Sequence, residues 1–369
     1  MTRKSSAILA GFAAAAAARQ CQNLTIPITI SARNGIFNLA APETNVDVTN
    51  FILDLTQPGN NLTNKALTGY ATIAGTYKVE ATYCEPDAGP GKALQVLTHG
   101  IGFDRSYWDL SANNYNYSYV NQALDRGYST FSHDRLGIGQ SQHGEPVNEI
   151  QSFLEVAALT ELSRLLRGGE IEGVCHHDKL VHVGHSFGSI QTYGLAAQSP
   201  ELTDAIILQG FSQNATYVPF FELGGNFVQA NLNEALADYD DGYLAAGDET
   251  GVQINFFAPG QFDPAILEVA FNTGKPVTVG ELLTIAGPAS VENAYPGPVL
   301  VVTGERDILF CGGNCTSSDP SIPAMVEEFF TNASSFDAFI IPGAGHGLNL
   351  EYTWPVTYKT MLDFFDGEI

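Results

Sequence analysis

Two kinds of hydrophobic pattern divide the chain. Between residues 26 and 84, short β-branched and aromatic runs such as Ile28-Thr29-Ile30 and Tyr77-Lys78-Val79-Glu80-Ala81-Thr82-Tyr83 are separated by Gly, Pro and Asn. This is the pattern of antiparallel strands. Beyond it, compact apolar runs at 93–98, 128–132, 180–183, 205–208, 299–303 and 338–341 alternate with longer segments of helical spacing. Such an alternation predicts a mostly parallel sheet with helices on both faces. Residues 153–166 carry apolar side chains at helical spacing and stop at Gly168-Gly169, and 190–197 predict a further helix.

One interval breaks the rhythm, because about ninety residues separate the fourth apolar run from the fifth. An inserted cap over residues 212–297 is the expectation, with the core built from 19–211 and 298–369. The cap is rich in aromatics, holds helix-compatible stretches such as 232–236, and closes through Pro288, Pro296 and Pro298.

Composition narrows the class. A chain of 369 residues can bury a large core, and 44% hydrophobic residues with mean hydropathy near zero describe an ordinary globular protein. Arg3 and Lys4 precede an apolar stretch over 7–18 that is too short to span a bilayer and ends in small residues. Residues 1–18 therefore read as a secretory signal, with the mature chain starting near Arg19. Asn-x-Ser/Thr sequons at Asn23, Asn61, Asn116, Asn214, Asn314 and Asn332 fit passage through a glycosylating pathway to the extracellular space. Losing Arg3 and Lys4 takes the formal charge from −24 to −26, which excludes nucleic acid as a natural partner. No later segment suggests a membrane span. The five cysteines are too dispersed for a disulfide-built scaffold. Cys311 and Cys315 could close a small loop, and Cys175 is the expected free, buried thiol. No His/Cys spacing matches a zinc site.

The chemistry concentrates at the ends of the predicted parallel strands. Gly184-His185-Ser186-Phe187-Gly188 joins an apolar run to a helical segment, the context in which a sharp strand-to-helix turn projects a nucleophilic hydroxyl. Serine needs a base, and the base needs an orienting carboxylate. Asp307 follows the 299–303 run and His346 follows the 338–341 run, where open α/β sheets place their ligands. Glu305 is the alternative acid. His176, His177 and His182 lie at or before the strand leading to Ser186 and read as surface or packing residues. His99-Gly100-Ile101-Gly102-Phe103 follows the 93–98 run, so the N–H groups of Ile101 and Phe187 are the expected oxyanion donors.

His99-Gly100, Asp134-Arg135-Leu136-Gly137-Ile138-Gly139-Gln140-Ser141, the Ser186 turn, Gly304 to Asp307 and Gly345-His346 together resemble the α/β-hydrolase family, from about residue 93 to the C-terminus. The family's more common pattern puts one residue between the Asp and Arg that here adjoin as Asp134-Arg135, and this segment reads as a brace for the loops near the nucleophile. The resemblance implies an α/β-hydrolase fold and hydrolysis through an acyl-enzyme, without a cofactor. Serine in place of aspartate at the turn argues against dehalogenase and epoxide-hydrolase chemistry.

The expected activity is a serine hydrolase acting on carboxylic esters or lactones. A peptidase or an acyltransferase would share every catalytic residue, and a non-catalytic binding protein on the same fold is the reading from another class. The cap bears on the substrate: Lys275 is its only basic residue, against eleven acids and eleven Phe and Tyr side chains. The small-molecule substrate is thus expected to be neutral and apolar or aromatic.

Overall fold

The computed structural model describes residues 19–369, and the targeting segment expected over 1–18 lies outside them. Eleven strands appear among the described residues. They are β1 (Gln20–Phe37), β2 (Leu67–Glu85), β3 (Leu94–Thr98), β4 (Ser129–His133), β5 (Leu180–His185), β6 (Ala205–Gln209), β7 (Phe227–Gln229), β8 (Tyr243–Ala246), β9 (Val277–Thr278), β10 (Val299–Gly304) and β11 (Phe336–Ile341). Eight of them form one sheet in the order β1-β2-β4-β3-β5-β6-β10-β11. From β4 through β11 all neighbours are parallel, whereas β1 pairs with β2 and β2 with β4 antiparallel.

The five inner parallel strands are buried at every position, because helices cover both faces. Edge strand β11 alternates instead between exposed and covered residues. The helix Ser152–Gly168 buries Leu154, Leu159, Leu162 and Leu166 on one stripe and ends at Gly169 in the left-handed region. The helix Phe187–Gln198 is buried along nearly its whole length, which places the segment after Ser186 in the middle of the molecule.

The N-terminal part departs from its sequence pattern. What reads as several short strands is one ribbon of two long ones, 18 and 19 residues, with the helix Asn45–Thr56 in the connection between them. Pro27 is tolerated inside β1 because β1 is an edge strand, where a missing N–H breaks no inner ladder. Cys21 and Cys84 face each other in this register and are disulfide-bonded.

Between β6 and β10 the chain folds into a small antiparallel sheet, β7-β8-β9, and several short helices. The sheet was not legible in the sequence, and the 232–236 stretch forms two 3-10 turns rather than a helix, the second capped by the Asn233 side chain. Asp248, Asp263 and Thr278 cap the helices that follow them, so part of the acidity of this segment serves local structure. Cys175 corrects another expectation. Its thiol is free but exposed, because it lies on the surface loop before β5, among exposed Glu172, Gly173 and His176, and not in the core.

Candidate active site

Strands β3 and β5 are neighbours in the sheet, and the chain leaves their C-terminal ends toward one another. Ser186 follows β5 directly, with φ 55° and ψ −119°, a conformation that L-residues rarely adopt. Strand and helix approach so closely around it that a Cβ on Gly184 would lie 2.2 Å from the Gly188 carbonyl oxygen, and one on Gly188 2.2 Å from that of Thr98. Glycine at both positions is therefore a steric requirement of the turn. The Ser186 N–H is held by the Gln209 carbonyl at 2.8 Å, which leaves the side chain facing an open space.

Asp307 and His346 come together from the loops after β10 and β11. His346 Nδ1 lies 2.7 Å from Asp307 Oδ2, and both side chains are fully buried. Asp307 also accepts hydrogen bonds from the Thr303 hydroxyl at 2.8 Å and the Phe310 N–H at 2.9 Å. Burial opposes its charge, but the His346 imidazole and these donors outweigh burial and hold the carboxyl below its usual range. An ionised Asp307 makes Nδ1 the protonated nitrogen, so the lone pair of His346 sits on Nε2. Nε2 has no hydrogen-bond partner among the described residues. The Ser186 hydroxyl makes none there either, so the Asp307–His346 bond is formed and a Ser186–His346 bond is not. Phe310 spans the interval, lining the space in front of Ser186 while packing against the His346 ring at 5.6 Å. Glu305 is turned elsewhere, accepting from the Gly343 N–H at 2.8 Å.

Ile101 and Phe187 line the same space as Ser186. Phe187 opens its helix, so its N–H has no intrahelical acceptor. The turn carrying Ile101 is held by His99. Its Nε2 accepts the Arg135 N–H at 3.0 Å, which leaves Nδ1–H to donate to the Gly100 carbonyl at 2.8 Å. Burial, reinforced by the nearby Arg135 charge, pushes the His99 pKa well down and keeps the ring neutral.

The Asp134–Ser141 segment does brace these loops. Asp134 accepts from the N–H groups of Arg105 and Gln140 at 3.0 and 2.9 Å and pairs with the Arg105 guanidinium. Arg135 is buried, 2.6 Å from Glu155, in contact with Glu281, and stacked 4.8 Å over the Phe187 ring. It thus ties the helix Ser152–Gly168 and the helix Val279–Thr284 to the residue after the serine.

Sequence reading did not find this cluster. Its one visible sign is Glu155 among the apolar positions of its helix. Glu351 was also missed. It accepts from the Gly345 N–H at 2.7 Å and the Ala258 N–H at 2.6 Å, joining the His346 loop to the β6–β10 segment. Of the other histidines, His182 packs inside the core between Ser163 and Thr203, whereas His176 is exposed.

The space before Ser186 is a cavity of about 200 Å³ with Ile190, Phe211, Phe221, Leu309 and Phe310 in its wall and no charged residue. Lys275 is engaged elsewhere. Its N–H donates to the Gly102 carbonyl at 3.0 Å and its ammonium lies 3.6 Å from Asp104. Among the described residues no group of three or more His, Cys, Asp or Glu side chains is arranged to hold a metal ion, and no helix is long and apolar enough to cross a membrane.

Solved structures with the same overall architecture include a thermophilic esterase from Thermogutta terrifontis (17% identity, TM-score 0.56, covering 80% of this chain and 96% of that one). Others are the enol-lactonase from Burkholderia xenovorans LB400 (16%, 0.51, 79% and 97%) and epoxide hydrolase A from Mycobacterium thermoresistibile (17%, 0.50, 79% and 95%). At these identities the likeness concerns the fold, and the three differ in their chemistry. No curated protein sequence matches the chain. Residues 95–353 match the sequence profile described as "Alpha/beta hydrolase family", a span that runs from β3 past His346 and takes in every strand-end motif noted above. With the sheet order and this match together, the chain belongs to the alpha/beta hydrolase family.

Proposed function

We propose that this hydrolase is a secreted serine enzyme that cleaves carboxylic ester or lactone bonds of neutral, apolar or aromatic substrates through an acyl-enzyme. The observation that carries the reading is the combination at one site of Ser186 in a strained turn and a histidine with Nδ1 bound to a buried carboxylate and Nε2 unpartnered. Apo geometry of this kind tightens when substrate arrives.

In the proposed reaction Nε2 of His346 takes the Ser186 proton as Oγ bonds to the substrate carbonyl carbon. The carbonyl π pair moves onto oxygen, where the Ile101 and Phe187 N–H groups donate to it, each worth on the order of 3 kcal/mol in the transition state. The imidazolium then protonates the leaving alcohol oxygen as the C–O bond breaks. Water repeats the sequence on the acyl-enzyme, releasing the acid and restoring Ser186. Asp307 keeps the ring in the working tautomer and stabilises its charged form.

The substrate class follows from the wall of the cavity. It has no cation to pair with a carboxylate or phosphate, and the one base of the 212–297 cap is spent on Asp104. Secretion is supported by two disulfides and by the surface position of the sequon asparagines, exposed at Asn23, Asn61, Asn116, Asn314 and Asn332 and half-buried at Asn214.

A fluorophosphonate probe, followed by peptide mass mapping, tests the chemistry. Labelling of Ser186, lost in Ser186→Ala, together with turnover of p-nitrophenyl esters or lactones over aminoacyl amides is the expected result. A folded wild-type protein that neither labels nor turns over any of these would be a binding protein on a hydrolase fold.

A further inference from the structure

Two chambers meet beside the turn that follows β3, the first without a charged residue and the second largely apolar. The first, of about 200 Å³, holds Ser186. The second, of about 30 Å³, lies within the cap, with Phe227, Val252 and Phe256 in its wall and Asn233, Asn255 and the Asp104-paired Lys275 on its polar side. A void of that size has room for little more than a water or two. Ile101 and Phe221 are the residues that line both chambers. Ile101 belongs to the turn fixed by His99 and Arg135, so it is the static part of the partition. Phe221 contributes a ring from the helix Val218–Gly224, packed edge-to-face on Phe227 at 5.5 Å.

We infer that Phe221 is a specificity-determining gate: its ring divides one largely apolar channel into two chambers and so limits the length of the acyl chain that the site accepts. The assignment to the acyl side rests on the proposed acyl-enzyme reaction. The leaving alcohol must reach solvent in the middle of each turnover, and the first chamber is the more open of the two. The acyl chain remains attached to Ser186 until water cleaves it, so its far end suits the more enclosed second chamber. With the ring in place, the first chamber is smaller than the roughly 300–1,000 Å³ of ordinary small-molecule sites, which favours short acyl groups. Turning or truncating the ring would let a longer chain pass Ile101 into the cap. Each further methylene buried there is worth about fourfold in affinity.

The test pairs a binding measurement with a kinetic one. Affinities for 1-butanol and 1-decanol are measured by calorimetry in a Ser186→Ala background, and kcat/KM for p-nitrophenyl butyrate and decanoate with Ser186 present. Phe221→Ala, and Phe221→Leu as the variant that better preserves packing, are expected to shift both ratios toward the long chain by tenfold or more, the gain from about two methylenes. Adding Val252→Phe, which fills the second chamber alone, should return both ratios to the wild-type value. Alcohol ratios that stay within twofold in both single variants overturn the gate, as does a gain that survives Val252→Phe. Because alcohol binding needs no nucleophile, an unlabelled Ser186 with shifted alcohol ratios would refute the ester chemistry and leave the gate standing.

Discussion

At Asp307 two opposing effects meet, and their balance decides what the neighbouring histidine can do. Burial alone would push the carboxyl toward its neutral form, yet the His346 ring and two further donors hold its pKa below the usual range. Because the folded value is depressed, its contribution to stability is present above the unfolded carboxylate pKa of about 3.9 and is lost as pH falls through the folded value. The same ionisation fixes the tautomer that leaves Nε2 of His346 free. Ser186→Ala and His346→Ala should each lower kcat by about three orders of magnitude or more with the fold intact, and Asp307→Asn should be damaging but less complete. Glu305→Gln should stay near wild type, since Glu305 serves the Gly343 N–H instead. Steady-state kinetics on the four variants checks this, and Glu305→Gln falling below Asp307→Asn would reassign the acid.

The helix Val218–Gly224 shows how one short element can carry unrelated constraints. Phe221 faces the chambers, while the adjacent Glu222 is buried and its carboxyl makes no hydrogen bond among the described residues. Burial pushes its carboxyl up to about 8. A raised folded pKa means that the proton is favoured in the folded chain. The favourable contribution is full below the unfolded value near 4.5 and is lost as pH rises through about 8. Glu222→Gln, which mimics the neutral form, should therefore raise stability by on the order of 1 kcal/mol or more at pH 8.5 and change it little at pH 5. Denaturant titrations at the two pH values read the difference, and equal effects at both would mean that Glu222 is hydrated or paired in solution. At the same scale, the motif at 184–188 was readable because strand, sharp turn and helix are consecutive in the chain. The β7-β8-β9 sheet was not, because its strands are two to four residues long and too short for alternation to register.

Across the whole molecule, the Cys21–Cys84 disulfide closes a loop with a sequence separation of 63 and ties the edge strand to the sheet. In the chain-entropy account a loop of that size is worth about 4 kcal/mol, so Cys21→Ser with Cys84→Ser should lose about 2–4 kcal/mol in equilibrium unfolding while ester turnover at 25 °C persists. A loss of turnover without a loss of stability would assign the bridge to the site instead. By itself the sequence determined the parallel core. Its inner strands are buried on both faces, so most of them appear as short, largely apolar runs, and the candidate residues lie at the ends of those runs. It also placed Ser186, Asp307 and His346 in the order this fold uses, because each is set by a local strand-to-loop transition. Tertiary structure decided what depends on residues distant in sequence. It turned Asp307 and not Glu305 to His346, joined Arg135 to Glu155 and Glu281 around Phe187, exposed Cys175, and set Phe221 between two chambers. Those outcomes are fixed by packing between elements separated by tens to more than a hundred residues, and no periodicity within one element reports on contacts made across that distance.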